Sequence, residues 1–587
     1  MTPASPENRI LALRRDLAAK RSALLAMTPD QALAKILGDP QPAALVHAFP
    51  EEDLHILIHE IGPDDALPLL ALASHRQLQY LLDQELWQQD RLDLDATRNW
   101  LERLLQADVP AKRLVGWLVE QQTDLVELFL CRSIEVRMLE HDQDPSVFGP
   151  DFFTYDSVYY IRIIAPPPSA KDASETVTET RSQQGVKRLL DLLAENDYLR
   201  FQAIVLEAIH LLPAEGEEEA YRLRTGRLAE KGFLPFDEAV GLYQSLNAAA
   251  FARTARRHDP MTPDRPDYVP LVPAAVLAED NLFTRALASI DAPEQRQTLQ
   301  EEFAALCNRI IVADRRSIHR REDLAAVVAK ASGYLSIGLQ KQRPAQPEAA
   351  SRLDGAVQTL RDYHLEGLFR LGYHEAVRLK QAAETWARES WFAARGLPLT
   401  FWDEEWMGII GGLLIKRPLF FDNYRSGTLY REFTTGEDIV RSRHALEQVQ
   451  AFDTLLSRLV DDRAVLPTGR FLTYKSLLLT LWARYRCALP EVVEPITVEA
   501  FRPFFATLLP PLAGAAGQHP GRIDASLKKD FLQWLADRSQ EPADRLDAAI
   551  GGALEGLFEE LANHYRGVRP DRIDPRYIVH FLLRAHP

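Results

Sequence analysis

The densest run of chemically capable side chains lies between residues 386 and 435. It holds Trp386, Trp391, Trp402 and Trp406, with Asp403, Glu404 and Glu405 between the last two. Lys416 and Arg417 come next, followed by Phe420, Phe421, Asp422, Tyr424 and Arg425. Amphipathic aromatics beside charges suit a pocket or an interface anchor. Paired carboxylates can do acid/base work where burial raises one pKa. The plainer use is packing, because a long loop needs aromatics to lie on a helical layer and carboxylates to cap helices. Packing outweighs a partner or ligand surface here, and that surface outweighs catalysis. As a candidate surface the segment is represented by Trp386, Trp391, Trp402, Asp403, Glu404, Glu405, Trp406, Lys416, Arg417 and Tyr424.

Other spacings carry less. His55 and His59 stand at i, i+4, followed by Glu60. Two histidines on one helical face can ligate zinc. The pattern is H-x-x-x-H, without the glutamate of H-E-x-x-H, and no third ligand is evident. Ordinary helix residues are the expectation, and no metal is predicted. Gly408-x-x-Gly411-Gly412 ahead of Lys416-Arg417 has the parts of a phosphate loop, but it lacks Walker A spacing and Lys416 is followed by Arg. Helix packing or a tight turn is expected. Cys307, between Leu306 and Asn308, reads as a packed thiol on an apolar helix. Tyr159-Tyr160 can offer a sheet edge, although a self-contained hairpin is the simpler reading. No catalytic set and no cofactor fingerprint is assembled.

The elements that must position these residues are mostly helical. Thr28-Pro29-Asp30-Gln31 reads as a helix start. A second helix begins near Pro50, carries Leu54, Ile56, Leu57 and Ile61, and stops at Gly62. The helical pattern continues to about Leu139. Such short antiparallel pairs stack as a helical-repeat layer, since one pair cannot bury its own apolar face. Phe152 to Ile164, rich in aromatic and β-branched residues around Asp156-Ser157, predicts one small β-hairpin near 151–165. Residues 168–184 read as a mobile linker, and helix resumes near Val186. Prolines make 257–273 an extended connection. Asp291 with Glu294 predicts a helix start, and Thr434 with Glu437 a capping box. Pro510-Pro511 and 513–522 form a break. The expected architecture is all-α. It comprises a helical-repeat block over 1–150, hairpin and linker over 151–183, a central block over 184–340, a linker over 341–352, and a C-terminal block over 353–587 with an aromatic loop insertion at 396–435.

Composition narrows the class. Only 28 of 587 residues are Gly, few for a Gly-turn-rich β protein or a nucleotide-binding α/β protein. The net charge of −16 opposes phosphate backbones, and the basic cluster Arg315, Arg316, His319, Arg320, Arg321 reads as a solvated helix face. No nucleic acid partner is expected. The 3 cysteines, Cys131, Cys307 and Cys487, are too few and too far apart for a disulfide framework, which fits a reducing compartment. The polar start lacks a signal-peptide core. The apolar run 407–415 falls short of the roughly 20 residues of a membrane span.

Glu52-Asp53-Leu54 and Ile61-Gly62-Pro63-Asp64-Asp65-Ala66-Leu67-Pro68-Leu69-Leu70 resemble the helical-repeat cytosolic N domain of MgtE-type magnesium transporters, over about 45–130. The resemblance implies fold rather than transport, because no membrane span follows. The family's acidic magnesium-binding positions have no placed counterpart here. Over most of its length the chain is similar to a bacterial family known only as a domain of unknown function, on residues 60–95, Phe152 to Ile161, and Leu368 to Lys380. That likeness implies a bacterial source and no activity, and with the cysteine usage and the polar start the expected setting is a bacterial cytoplasm. Taken together, the expectation is a non-enzymatic interaction or scaffold protein with a protein partner. The alternatives are a small-molecule-binding protein or enzyme with its pocket at 386–435, and a divalent-ion-responsive module.

Overall fold

Helices begin where a side chain can take up the first free backbone N–H groups, and among the described residues four starts are closed by reciprocal capping boxes: Ser74 with Gln77, Asn281 with Thr284, Thr435 with Asp438, and Thr473 with Ser476. The computed structural model describes residues 16–17, 19–139, 144–164, 175–210, 212–254, 256–257, 280–342, 349–461, 464–467, 472–509 and 523–585. Two expected starts shift by one residue. Thr435 rather than Thr434 caps its helix, and Ala292 rather than Asp291 precedes Pro293. The fold is mostly α, as expected. The chain divides into two compact units: Met1–Gln244 with Ala255–Ser332 and Ala345–Gly367, and Ser245–Thr254 with Gly333–Pro344 and Leu368–Pro587. The first unit takes in the expected block 1–150 and most of 184–340, while 245–254 and 333–340 fall in the second.

The first unit opens with α1 (Pro29–Leu37), α2 (Pro42–His47), α3 (Glu51–Ile61), α4 (Leu67–Leu72) and α5 (His75–Glu85). Gly62 ends α3 with φ 105, a conformation open to glycine and strained for other residues. The short hairpin β1 (Trp87–Gln88) and β2 (Arg91–Leu92) leads to α6 (Leu94–Gln106), α7 (Ala111–Gln121) and α8 (Thr123–Ser133). Helix stops at Ser133 rather than near Leu139. Ile134, Val136 and Met138 alternate with Glu135 and Arg137, and this period-two run forms β3 (Ile134–Met138). The expected hairpin, β4 (Phe153–Thr154) and β5 (Tyr159–Ile163), is present. β3 pairs antiparallel along its other edge, Val136 opposite Ile161.

The linker expected over 168–184 lies outside the described residues up to 174. Beyond that, Glu175–Asn196 is helix (α9), since polar Glu, Gln and Arg are good helix formers. α10 (Tyr198–His210), α11 (Pro213–Ala229) and α12 (Phe236–Val240) follow. Most of the proline-rich connection at 257–273, and the break at 510–522, lie outside the described residues. The unit is completed by α13 (Leu282–Ala288), α14 (Pro293–Asp314), the first half of α15 (Arg321–Gln342), and α16 (Ala349–Asp362). α3 packs on α5, α8 on α10 and α11, and α12 on α14. Trp100, Trp117, Phe129, Phe201 and Phe303 lie in its interior.

The second unit contains most of α17 (Leu365–Glu389), then α18 (Trp391–Ala394), α19 (Asp403–Leu414), the pair β6 (Phe420–Phe421) and β7 (Tyr430–Arg431), α20 (Gly436–Leu459), α21 (Tyr474–Arg486), α22 (Val498–Leu508), α23 (Ala525–Ser539) and α24 (Ala543–His564). A parallel pair, β8 (Ile496–Thr497) with β9 (Leu583–Arg584), fastens the C-terminal end. The glycines at 408 and 412 serve packing. A methyl on Gly408 would overlap the Phe421 ring, and one on Gly412 would lie 2.7 Å from the Leu419 carbonyl oxygen. Among the described residues no helix is long and apolar enough to cross a membrane.

Candidate metal centre

The site starts from α3, whose residues Glu51 to Ile58 are all buried. Carboxylates in a first helical turn are favoured by the helix dipole, but buried ones need partners. Lys231 Nζ donates to Glu51 Oε2 at 2.8 Å and to Glu52 Oε1 at 3.1 Å, and Arg76 also pairs with Glu51. This anchors the helix and aims His55 and His59, one turn apart, in the same direction. α5 is fixed opposite. The Gln77 amide donates to the carbonyls of Val46 and Phe49, both at 2.8 Å. The last residue of α5 is Glu85.

The two histidines converge on that residue. Nε2 of His55 lies 2.7 Å, and Nε2 of His59 2.9 Å, from the same Glu85 Oε1. A third imidazole approaches, with His319 Nε2 3.7 Å from that oxygen. The side chains of His55, His59 and Glu85 are only 8%, 12% and 13% exposed, whereas His319 is 49% exposed. The first three form the inner set and His319 the open side. Ring contacts hold the orientation: His59 stacks on His319 at 4.4 Å and meets Trp100 edge-on at 6.0 Å, and His55 meets Tyr80 edge-on at 5.9 Å. The loop carrying His319 is tied down by Arg321, which pairs with Glu60 at 2.9 Å, and by Asp323, which accepts from the His319 and Arg320 amides.

Burial lowers the pKa of His55, against the raising influence of Glu85, and the neighbouring His59 and His319 push the same way as burial. Burial thus favours the neutral imidazole, whose Nε2 carries the proton of the hydrogen bond to Glu85, and a bound ion would take the place of that proton. Burial works against the charged form of Glu85, but the His55 and His59 hydrogen bonds together outweigh it and hold the carboxyl far below its usual range. One ring nitrogen of each histidine and a carboxylate oxygen lie within 4.8 Å of one another. Ligands of a tetrahedral ion at about 2.0–2.1 Å stand roughly 3.3 Å apart, so movements on the order of 1 Å would close the set around an ion. A pair of imidazoles plus a carboxylate, with one position left open, is the ligand class of catalytic zinc.

The open side faces a cavity of about 590 Å³ lined by His55, Glu85 and His319. Its walls include Tyr80, Trp87, Tyr221, Phe233 and Phe236, with Arg224, Arg315 and Arg316. Part of the basic cluster read as a solvated helix face is thus the α14–α15 loop bordering this cavity. Glu85 and His319 are the members that sequence reasoning misses.

In the second unit the structure distributes the candidates at 386–435. Trp386, Trp391, Trp402 and Trp406 are buried, Trp402 completely. Trp402 lies between Trp386 at 5.7 Å and Trp406 at 6.2 Å, and Trp406 stacks on Tyr474 at 4.7 Å. Asp403 has φ 66 and pairs with Lys475, whose Nζ also donates to Glu560 Oε2 at 2.6 Å. His580 donates to the other oxygen of Glu560 at 2.9 Å, and this contact, with Lys475, holds the Glu560 carboxyl at about 2. Trp402, Asp403, Glu405 and Trp406 share a cleft of about 580 Å³ with Lys475 and Glu560. Glu404, Lys416 and Tyr424 are exposed, and Arg417 is half-buried; none of these four, nor Trp386 or Trp391, lines that cleft.

The chain belongs to the Family of unknown function (DUF6178), whose profile matches residues 9–584. Neither the curated proteins nor the solved structures yield a match.

Proposed function

Family membership assigns no activity, and we propose one from the site: the first unit binds a divalent transition-metal ion of zinc's class on His55, His59 and Glu85, and the ion serves a small molecule held in the adjoining cavity. The observation that carries this is the convergence of two imidazole nitrogens and one carboxylate oxygen, from two helices, at the wall of a cavity. A structural zinc site closes all four positions with protein ligands, whereas an ion here keeps a position toward the cavity. Imidazole nitrogens favour zinc, copper, nickel or iron over magnesium, which prefers oxygen ligands. The divalent-ion reading therefore moves away from magnesium. When bound, such an ion supplies an activated water or polarises a carbonyl. Titration calorimetry on the chelator-treated full chain is expected to show one zinc per chain. Affinity should fall at least roughly 100-fold in a folded His55→Ala, His59→Ala variant, since even outer partners of a ligand are worth 10–100-fold. Absence of saturable zinc binding, or equal affinity in the variant, would remove the reading.

The interaction reading keeps one observation of its own. Leu199, Leu206 and Ile209 of α10, with Leu212 just after it, are exposed, Leu199 at 79%, and contiguous exposed apolar side chains mark interaction surfaces. Pull-down from the native host, comparing wild type with Leu199→Glu, Leu206→Glu, tests it. An unchanged set of stoichiometric partners would count against this face.

A further inference from the structure

The cavity has a second pole, built from arginine. Arg224 of α11 donates through Nε to the Asp83 main-chain carbonyl at 2.6 Å. The Asp83 carboxylate is taken by Arg227 in a two-pronged pair at 2.9 and 2.6 Å. Among the described residues no carboxylate forms an ion pair with Arg224. Its guanidinium lies against the rings of Trp87 at 5.7 Å and Tyr221 at 6.0 Å, and these rings are themselves 5.7 Å apart. Burial disfavours its charged form, a cost that an incoming anion offsets. Arg315 adds a second cation. It ends α14 in the left-handed region with φ 52, and its guanidinium sits 4.1 Å from the Phe236 ring centre. Among the described residues it too forms no ion pair with a carboxylate.

Of the four acidic residues of the lining, two are met by bases, while Asp53 is fully buried and Asp90 is exposed at the β1–β2 turn. Glu52 is met by Lys231, and Glu85 by His55 and His59. The charge left open toward the cavity at Arg224 and Arg315 is positive. Trp87, the platform of Arg224, follows Glu85 by two residues, so its Cα lies within roughly 7 Å of the Cα of Glu85. A planar guanidinium braced on rings presents a fork that matches a carboxylate.

We infer that the ligand of this cavity is a small carboxylate-bearing molecule with an apolar body, whose carboxylate is received by Arg224 with support from Arg315 while its other polar end faces His55, His59 and Glu85. The inference deepens the metal reading and rests on it for the second contact only.

The test uses the zinc-loaded full chain and two probes of matched length: succinic acid monohydroxamate, which carries a carboxylate, and butyrohydroxamate, which does not. Calorimetry is expected to show the carboxylated probe binding at least ten times tighter. Arg224→Gln keeps a donor for the Asp83 carbonyl and should erase that preference while leaving butyrohydroxamate affinity unchanged. Arg315→Gln, at an exposed position, should reduce the preference, and it decides the matter should Arg224→Gln not fold. Equal binding of both probes to wild type, or parallel weakening of both in the variants, overturns the inference and leaves the metal reading standing. If the chain takes up no zinc, the metal reading falls by itself. Equilibrium dialysis of labelled succinate then decides the anion claim: saturable binding lost in Arg224→Gln upholds it, and no saturable binding overturns it.

Discussion

Lys231→Met tests how the histidine-bearing helix is held. The Lys231 side chain is 12% exposed, and its two carboxylate partners, Glu51 and Glu52, are 4% and 11% exposed. Removing one partner of a buried ion pair costs about 3–5 kcal/mol. Residual exposure of the ammonium, and the pairing of Glu51 with Arg76, place the cost at the lower end, about 3 kcal/mol. At roughly 2 °C per kcal/mol for a unit of this size, that is a fall in Tm of about 6 °C. The pH dependence follows from Glu52, whose pKa is raised by burial and by Glu51 against the lowering effect of Lys231. An acid with its folded pKa above its unfolded value carries no penalty at low pH, and the penalty grows as pH rises through the folded pKa. Losing the ammonium lifts that pKa further, so the gap between variant and wild type widens from about pH 5 to about pH 8. Thermal unfolding of the full chain in chelator, followed by circular dichroism at both pH values, measures it, with Lys231→Arg as the charge-conserving control. A Tm loss below about 2 °C at the higher pH, or an equal loss at both, would refute the reasoning.

Glu127 of α8 is held at about 7 by burial, with Glu207 and Asp124 acting the same way. Its penalty is therefore present above that value, and Glu127→Gln is expected to stabilise by about 1 kcal/mol at about pH 8 and to change little at about pH 5, as read by urea unfolding. In the second unit α15 and α17 cross at Gly338 and Gly372, where a methyl on Gly372 would overlap the Tyr334 carbonyl oxygen. Gly372→Ala should cost about 3 kcal/mol, and a Tm within about 2 °C of wild type would show that the crossing is looser than described. The combined variant His55→Leu, His59→Leu, Glu85→Met replaces the cluster with apolar groups of similar size. In chelator it should be as stable as wild type or more stable by about 1–2 kcal/mol, and it should lose any rise in Tm on adding zinc. A large loss of stability in chelator would mark the cluster as a structural fastening.

Legibility in the sequence follows the range of the interaction. α3 can be read because its end depends on Gly62 and its core face on a local period. The start of α20 is ambiguous by one residue, since Thr434 and Thr435 are both good caps, each with an acid three residues on. Only the Thr435 to Asp438 geometry settles it. β3 is hidden because five residues that alternate cleanly follow a helix without a break. At 386–435 the tryptophan density is plain, but the burial of these residues depends on partners far along the chain: Trp402 and Trp406 meet Tyr474, Trp406 meets Phe452, and Asp453 accepts from the Trp391 main-chain N–H. The metal centre divides in the same way. His55 and His59 are visible at one-turn spacing. Glu85 lies 26 residues beyond His59 at the polar end of another helix, and His319 stands in a run of arginines that reads as solvated.

What separates Glu85 from other buried acids of its unit is the choice of partner. Asp83 is answered by the guanidinium of Arg227, Glu51 and Glu52 by the ammonium of Lys231, and Asp314 by Lys330 at 3.0 Å. Those partners are charged in all ordinary conditions and have no lone pair to offer a metal. Around Glu85 the same role falls to imidazoles, the weaker choice for neutralising a carboxylate and the better one for ligating an ion. One lysine would have satisfied the acid with fewer ordered side chains, and buried ionic groups are in any case poor stabilisers compared with apolar packing. Two histidines brought to one carboxylate oxygen, with a third beside them on a cavity wall, give up that simpler solution. Departures from the locally best choice concentrate at functional sites. The His55, His59 and Glu85 cluster is such a departure beside Glu51, Glu52, Asp83 and Asp314, acids of the same unit that are paired with lysine or arginine, and a divalent ion is the partner that makes its composition economical.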